Sequence, residues 1–166
     1  MQNVTIRLVE KHDLPLLDTA LRALSKDLSD THPASIAFLE QAGFGHTPAY
    51  YALIALTSDS AANADDLCGA IVFSPVMSTT LAATGFYVSD LWVADAARGF
   101  GVGRQLLAHA GDYSRTQWGA RYLKLAVYDD SNSARQFYAR LGLTARIGET
   151  TMFLDDVGLD ALKGDA

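Results

Sequence analysis

LWVADAARGFGVGRQLL, residues 91–107, is the stretch on which the fold turns. Leu91, Trp92 and Val93 end an apolar run, Phe86–Val93, that reads as a buried strand. Small residues follow. Gly99, Gly101 and Gly103 then alternate through a turn, and Gln105, Leu106 and Leu107 carry on as a helix. Glycine adopts backbone dihedrals that other residues avoid and lets N–H groups come close to a ligand. The first turn of a helix leaves N–H groups unpaired and carries the positive end of the dipole. Strand, glycine turn and helix N-terminus in that order make an anion site suited to a phosphate or pyrophosphate. Arg98 and Arg104 bracket the turn and can add charge. The same glycines also suit a plain tight turn, so the turn alone leaves binding and packing both open.

Two phosphate motifs are excluded. The dinucleotide fingerprint G-x-G-x-x-G ends on Arg104 when counted from Gly99 and on Leu106 when counted from Gly101. No G-x-x-x-x-G-K-[ST] run exists anywhere in the chain.

Working outward, Val4–Val9 (VTIRLV) alternates as a strand. Asp13 is placed to cap a helix with Pro15 in its first turn. Leu14, Leu17, Leu21, Leu24 and Leu28 form one apolar helix face at spacings of three and four. A second short helix is expected over Pro33–Ala42, stopped by Gly43. Tyr50–Leu56 and Leu67–Phe73 read as strands around a polar loop at Thr57–Asp66, while Ser74–Gly85 reads as irregular or as a paired edge. After the glycine turn, Val102, Leu106, Leu107, Ala110, Ser114 and Trp118 mark the inner face of a helix. Tyr122–Tyr128 is an apolar strand and Ser131–Leu141 a short helix. Leu143–Ile147 and Thr150–Leu154 read as a closing pair of strands. The order predicts an α/β fold with a mixed sheet and helices on both faces, in one domain over 1–166 with no repeat or linker.

The chain has 166 residues, 49% hydrophobic and 19% charged, enough for a core without metal or disulfide help. Thirteen Lys and Arg against nineteen Asp and Glu give a net charge of −6, which disfavours nucleic acid and suits cationic small substrates such as amines. The single cysteine, Cys68, allows no internal disulfide and fits a reducing compartment. No apolar run approaches the roughly 18 residues of a membrane span, and the N-terminus lacks a signal-peptide pattern, so the expectation is a soluble, cytoplasmic protein without a membrane partner. No His/Cys/Asp cluster has metal-ligand spacing, and no metal is expected.

The run Arg98–Gly103 resembles the R/Q-x-x-G-x-G/A signature of the GNAT superfamily of N-acetyltransferases. YVSDLWV at 87–93 looks like that family's fourth strand. DDSNSARQFYARLGL at 129–143 looks like its N-x-x-A-x-x-F-Y-x-x-x-G-F block. There Asn132, Ala134 (one position closer than in some members), Phe137, Tyr138 and Gly142 match, and Leu143 replaces Phe. The resemblance is strong over about Tyr87–Leu143.

The resemblance implies a central mixed, mostly antiparallel sheet whose fourth and fifth strands splay, with acetyl-CoA as acyl donor in the gap. Carried over by position, the backbone of Leu91, Trp92 and Val93 pairs with the pantetheine arm. The N–H groups of the run Arg98, Gly99, Phe100, Gly101, Val102, Gly103 and Arg104 hold the pyrophosphate. Asn132 caps the fourth helix and faces the pantetheine, beside Ala134, and Tyr138 lies near the thioester sulfur.

Acetyl transfer needs a neutral amine, so a group must take its proton. It also needs an N–H for the developing oxyanion, here that of Val93, and an acid for the leaving thiolate. A phenol can serve, because its pKa of roughly 10 is not far above a thiol's roughly 8.5. Tyr138 is that acid, against the plainer reading of a core aromatic. Asp90 is the base candidate, since a carboxylate inside an apolar strand wants a reason. Its alternative is a structural partner. In the diamine-acetyltransferase branch a Glu commonly precedes this Asp, whereas Ser89 stands here, and alternation puts Ser89 and Asp90 on opposite faces. Asp129, Asp130, His32, His46, Asp27 and Asp30 are weaker candidates that also suit solvated positions. His109 reads as surface and Cys68 as core. The expected function is N-acetyl transfer to a small primary amine in a ternary complex. A protein N-terminus or lysine is the second choice of acceptor. The apolar fifth-strand region and the family habit point to a homodimer. A catalytically weak acyl-CoA sensor is the alternative that the Ser89 departure keeps open, and a phosphate-ligand protein unrelated to CoA leaves the second block unexplained.

Overall fold

The computed structural model describes residues 4–57, 63–146 and 148–162. Its elements are β1 (Thr5–Leu8), α1 (Leu14–Leu28), α2 (Ile36–Phe44), β2 (Tyr51–Leu56), β3 (Leu67–Ser78), β4 (Ala83–Val93), α3 (Val102–Trp118), β5 (Leu123–Leu125), α4 (Asn132–Arg140) and α5 (Asp156–Ala161). The five strands lie in chain order, β1-β2-β3-β4-β5. The first three pairings are antiparallel, and β4–β5 is parallel because α3 crosses between them. This is the mixed, mostly antiparallel sheet that the family resemblance implies. Two compact bodies are formed, one up to Val127 and one from Tyr128.

In the first body the sheet is buried on both faces. Ala52, Ile54 and Leu56 of β2 and Ala70 and Val72 of β3 meet Leu14, Leu17, Ala20 and Leu21 of α1 and Leu39 of α2. Ile71 and Phe73 point the other way, as strand alternation requires. There the Phe73 ring packs edge-on against Phe86 (6.1 Å between centroids) and Tyr113 of α3 (5.8 Å). Gly69 lies beneath Val102 and Leu106 of α3, and a Cβ there would come 2.8 Å from the Trp92 carbonyl. That missing side chain lets the first turn of α3 settle onto the sheet.

Several expectations need correction. Asp13 does not cap α1 with its side chain, and its own backbone is already helical (φ −85°, ψ −5°). Its carboxylate turns back to Arg7 at 2.6 and 2.9 Å and to the Glu10 N–H at 2.8 Å. The second helix starts at Ile36, because Ser35 takes the cap position and accepts from the Phe38 N–H. It runs through Gly43, which is not a stop: the Tyr50 ring fills the space of its Cβ, 2.6 Å away. Of the two readings of Ser74–Gly85, the paired one holds. β3 and β4 continue as a long hairpin from Ser74↔Tyr87 to Ser78↔Ala83.

The strand expected over Tyr122–Tyr128 is only Leu123–Leu125. The closing pair of strands is absent over 143–146 and 150–154, and Ile147 lies outside the described residues, as do residues 58–62 of the expected loop. Met152 and Phe153 are 87% and 88% exposed, so this apolar run buries nothing. A lone two-stranded hairpin is marginal in water. Asp155 instead caps α5, accepting from the Gly158 N–H at 2.9 Å. Among the described residues no helix is long and apolar enough to cross a membrane.

Candidate active site

The site is built on a fault in β4. Val72 faces Asp90, but the next residue, Phe73, faces Val88. Ser89 is therefore an extra residue, a β-bulge, and its hydroxyl contacts the Val72 carbonyl at 3.4 Å. The bulge shifts the phase of everything after it. Before it, the Phe86 N–H donates to Tyr122 on the β5 side. After it, the Ala94 N–H donates to Cys68 on the β3 side. Both residues are even-numbered, so their opposite directions record the shift. Counting back from Ala94, the N–H groups of Val93 and Leu91 point to the β5 side, and that of Trp92 points to β3.

β5 is not there to meet them. It pairs only with Phe86, Tyr87 and Val88. From Ser89 to Val93 the β4 edge has no strand partner on that side among the described residues, and it offers the N–H groups of Leu91 and Val93. The expected splay of the fourth and fifth strands is thus present as the early end of their pairing. Of the three residues expected to present backbone there, Leu91 and Val93 do so and Trp92 does not.

The open edge leads into the glycine turn. Gly99 (φ +82°) and Gly101 (φ +83°) are both left-handed. A Cβ on Gly99 would meet nothing within 4 Å, so glycine is there for its dihedral and not for space. The Arg98 N–H is taken by Ala94 and Asp95 carbonyls. The next backbone donor with a partner is Gln105, on the Gly101 carbonyl at 3.0 Å. The N–H groups of Gly99, Phe100, Gly101, Val102, Gly103 and Arg104 have no hydrogen-bond acceptor among the described residues. Val102 and Gly103 are buried, while Gly99, Phe100, Gly101 and Arg104 are exposed. Such a row of amides at the start of a 17-residue helix is fitted to an anion.

The two arginines differ. The Arg98 side chain donates from Nε to the Val93 carbonyl at 3.0 Å and pairs with Asp27 and Asp95, each at 2.6 Å. Its charge is met by two carboxylates. The Arg104 side chain is exposed and has no partner among the described residues.

Asp90 and Trp92 fall on the sheet face that carries α1 and α2, paired with Val72 and Ala70. Asp90 is half-buried and has no hydrogen bond among the described residues. The bulge removes strict alternation at Ser89, so the two-face argument about Ser89 and Asp90 does not apply across it. Sequence reasoning named His32 but missed its partners Asp18 and Ser25 on α1. His32 lies 3.4 Å from Asp18 through Nε2 and 3.1 Å from Ser25 Oγ through Nδ1, and all three residues are at least half-buried. Ser25 Oγ already donates to the Leu21 carbonyl, so the group pins the segment before α2 onto α1. The i, i+7 spacing of Asp18 and Ser25 on one helix face was the available signal. His46 is exposed, and His109 bonds the Gln105 carbonyl on the surface of α3. Burial raises the Cys68 thiol. No group of three His, Cys, Asp or Glu side chains able to hold a metal occurs among the described residues.

In the second body Ser131 takes the cap position of α4 and Asn132 is its first residue, so Asn132 is not the cap. Ser131 stands three residues before Ala134, the spacing that the family block asks of its Asn. Asn132 is exposed, and Ala134 and Tyr138 are half-buried on α4. The Tyr138 ring packs against Phe137 with centroids 5.1 Å apart. Burial pushes its phenol above the ordinary value of 10.0.

The family model described as "Acetyltransferase (GNAT) family" matches residues 20–143. The chain belongs to the GNAT acetyltransferase family. A thialysine N-epsilon-acetyltransferase of Bos taurus is 28% identical over 148 residues, covering 86% of this chain and 85% of that one. Two solved structures share the GNAT fold. An integron cassette protein from the mobile metagenome of V. cholerae superposes with a TM-score of 0.73 at 22% identity, covering 99% of both chains. An aminoglycoside acetyltransferase from an uncultured soil metagenomic sample gives 0.72 at 15% identity, covering 92% of this chain and 95% of that one.

Proposed function

We propose that this GNAT acetyltransferase moves the acetyl group of acetyl-CoA to a small primary amine by direct attack, with both substrates bound together. One observation carries the reading: the open β4 edge, with the Leu91 and Val93 amides, leads through a short turn into six successive amides at Gly99–Arg104 that have no acceptor among the described residues. That is an extended strip followed by an anion cradle, the order of groups in pantetheine and pyrophosphate. Leu91 would pair with the pantetheine arm, the amides of Gly99–Arg104 would hold the pyrophosphate, and Arg104 would supply charge. Acetyl-CoA supplies an acyl group activated as a thioester.

The protein's own residues do the rest. Val93 N–H donates toward the thioester oxygen, where charge develops. Asp90, directly or through water, takes the proton that an ammonium must lose before it can attack. Tyr138 is assigned the proton donor to the leaving sulfur by its place in the second block, and as a phenol it carries its proton at neutral pH. The net charge of −6 favours a cationic acceptor by steering. The Bos taurus relative, named for an amine on a small molecule, supports the same class. The family match over residues 20–143 reaches from the first compact body into the second, which supports reading the chain as one acetyltransferase domain.

The test is amine-dependent release of CoA thiol from acetyl-CoA across polyamines, amino acids, aminoglycosides and short peptides. Turnover with a small amine is expected. Turnover with peptides alone would move the acceptor to protein, and a blank panel with CoA still bound would leave a sensor.

A further inference from the structure

The Arg98 side chain is fully engaged. Nε reaches the Val93 carbonyl, one terminal nitrogen reaches Asp95, and the other reaches Asp27, 71 residues earlier in the chain. Asp27 lies in the last turn of α1, where the helix dipole disfavours a negative charge. An acid there goes against the local rule, and Arg98 is its compensation. Stability does not explain the arrangement. The paired side chains are 53% and 44% exposed, and such pairs contribute little after solvent screening. What the contact fixes is direction. The Val93 carbonyl and N–H point to the same open edge, and the Gly99–Arg104 amides begin one residue after Arg98.

We propose that Asp27 is a positioning residue for the acyl donor: through Arg98 it sets the angle at which the chain leaves the β4 edge for the glycine turn. The inference rests on the acetyl-CoA reading above. It also corrects the sequence-based expectation that Arg98 lends its charge to the phosphates, since two carboxylates already neutralise it. The two ideas predict opposite signs. If Arg98 were the anion's ligand, removing the Asp27 charge would free it and tighten CoA binding. If Asp27 positions the turn, removing it loosens the turn and weakens binding.

The experiment is calorimetric titration of CoA into wild type, Asp27→Asn and Asp27→Glu at low and moderate salt, with the melting temperature of each ligand-free protein. Asp27→Asn should bind CoA about 3- to 10-fold more weakly, the worth of one ordinary hydrogen bond. The loss should persist at both salt concentrations, the ligand-free melting temperature should stay near wild type, and Asp27→Glu should recover part of the affinity. In turnover the KM for acetyl-CoA should rise while kcat holds. Tighter binding by Asp27→Asn at low salt, or equal binding, overturns the inference and leaves the donor site standing. Failure of the wild type to bind CoA overturns the donor reading itself.

Discussion

Arg98 Nε donates to the carbonyl of Val93 at 3.0 Å, across the mouth of the open β4 edge. The bond occupies the outward carbonyl of Val93 and leaves its outward N–H available. A strand edge with every group exposed invites pairing with another chain. Here the last carbonyl is closed from within, and the edge is only as long as the segment from Ser89 to Val93 that β5 leaves uncovered.

Gly99 offers the sharpest test of the turn. Its φ of +82° with open space around the Cβ position means that substitution is penalised by backbone conformation alone. Gly99→Val should misdirect the amides and weaken CoA binding about 10-fold, following a left-handed penalty of about 1–2 kcal/mol. Gly99→Asn should lose less, because Asn tolerates that region. Titration of CoA into both variants checks the order.

Tyr138→Phe separates binding from chemistry. It keeps the ring that packs on Phe137 and removes the proton. The expected result is a fall in kcat of about 100-fold or more, with CoA affinity unchanged. Unchanged kcat would take Tyr138 out of the acid's role.

Gly69 should prove intolerant for a reason of space. A Cβ would lie 2.8 Å from the Trp92 carbonyl and 3.1 Å from Leu106 Cδ1. Gly69→Val should destabilise by about 1–3 kcal/mol through overpacking and should lift the first turn of α3. A lowered melting temperature together with weaker CoA binding is the signature. Gly111→Ala, where the nearest atom is 3.8 Å away, is the control.

Asp13 should govern the acid limb of stability. Burial alone would raise its pKa, but the Arg7 hydrogen bond, the Glu10 N–H and the charges of Arg7 and His12 outweigh it and hold it below 3.8. A depressed folded pKa contributes stability above the unfolded value, and that contribution is lost as pH falls through the folded one. Asp13→Asn should lower stability at pH 7 by roughly 3 kcal/mol, the low end for breaking a buried pair. It should also flatten the loss below about pH 4, where the unfolded carboxylate itself takes up its proton. Denaturant melts from pH 7 down to pH 2.5 check both.

What the sequence showed and hid follows physical lines. The leucine face of α1 and the glycine turn were legible because each is a local pattern with one good explanation. The long β3–β4 hairpin was legible only as one of two readings, since Ser74, Pro75 and Ser78 also suit loops and only cross-strand pairing makes them strand. The bulge at Ser89 was invisible, because an extra residue in a strand leaves no mark on composition. The glycines beside Arg98 suggest an anion ligand, and its long-range partner Asp27 leaves no local mark in the sequence. The apolar run Met152–Leu154 misled for the opposite reason: its residues suit a strand, but no strand forms there.

The central claim is that acetyl-CoA lies along the Leu91–Val93 edge and in the Gly99–Arg104 turn. Residue-level amide hydrogen exchange with and without CoA tests it most directly. The account predicts that CoA slows exchange at Leu91, Val93 and the run Gly99–Arg104, and leaves Trp92, whose N–H already faces β3, as it was. New protection at Trp92 without Leu91 and Val93, or no protection in the turn, would contradict it.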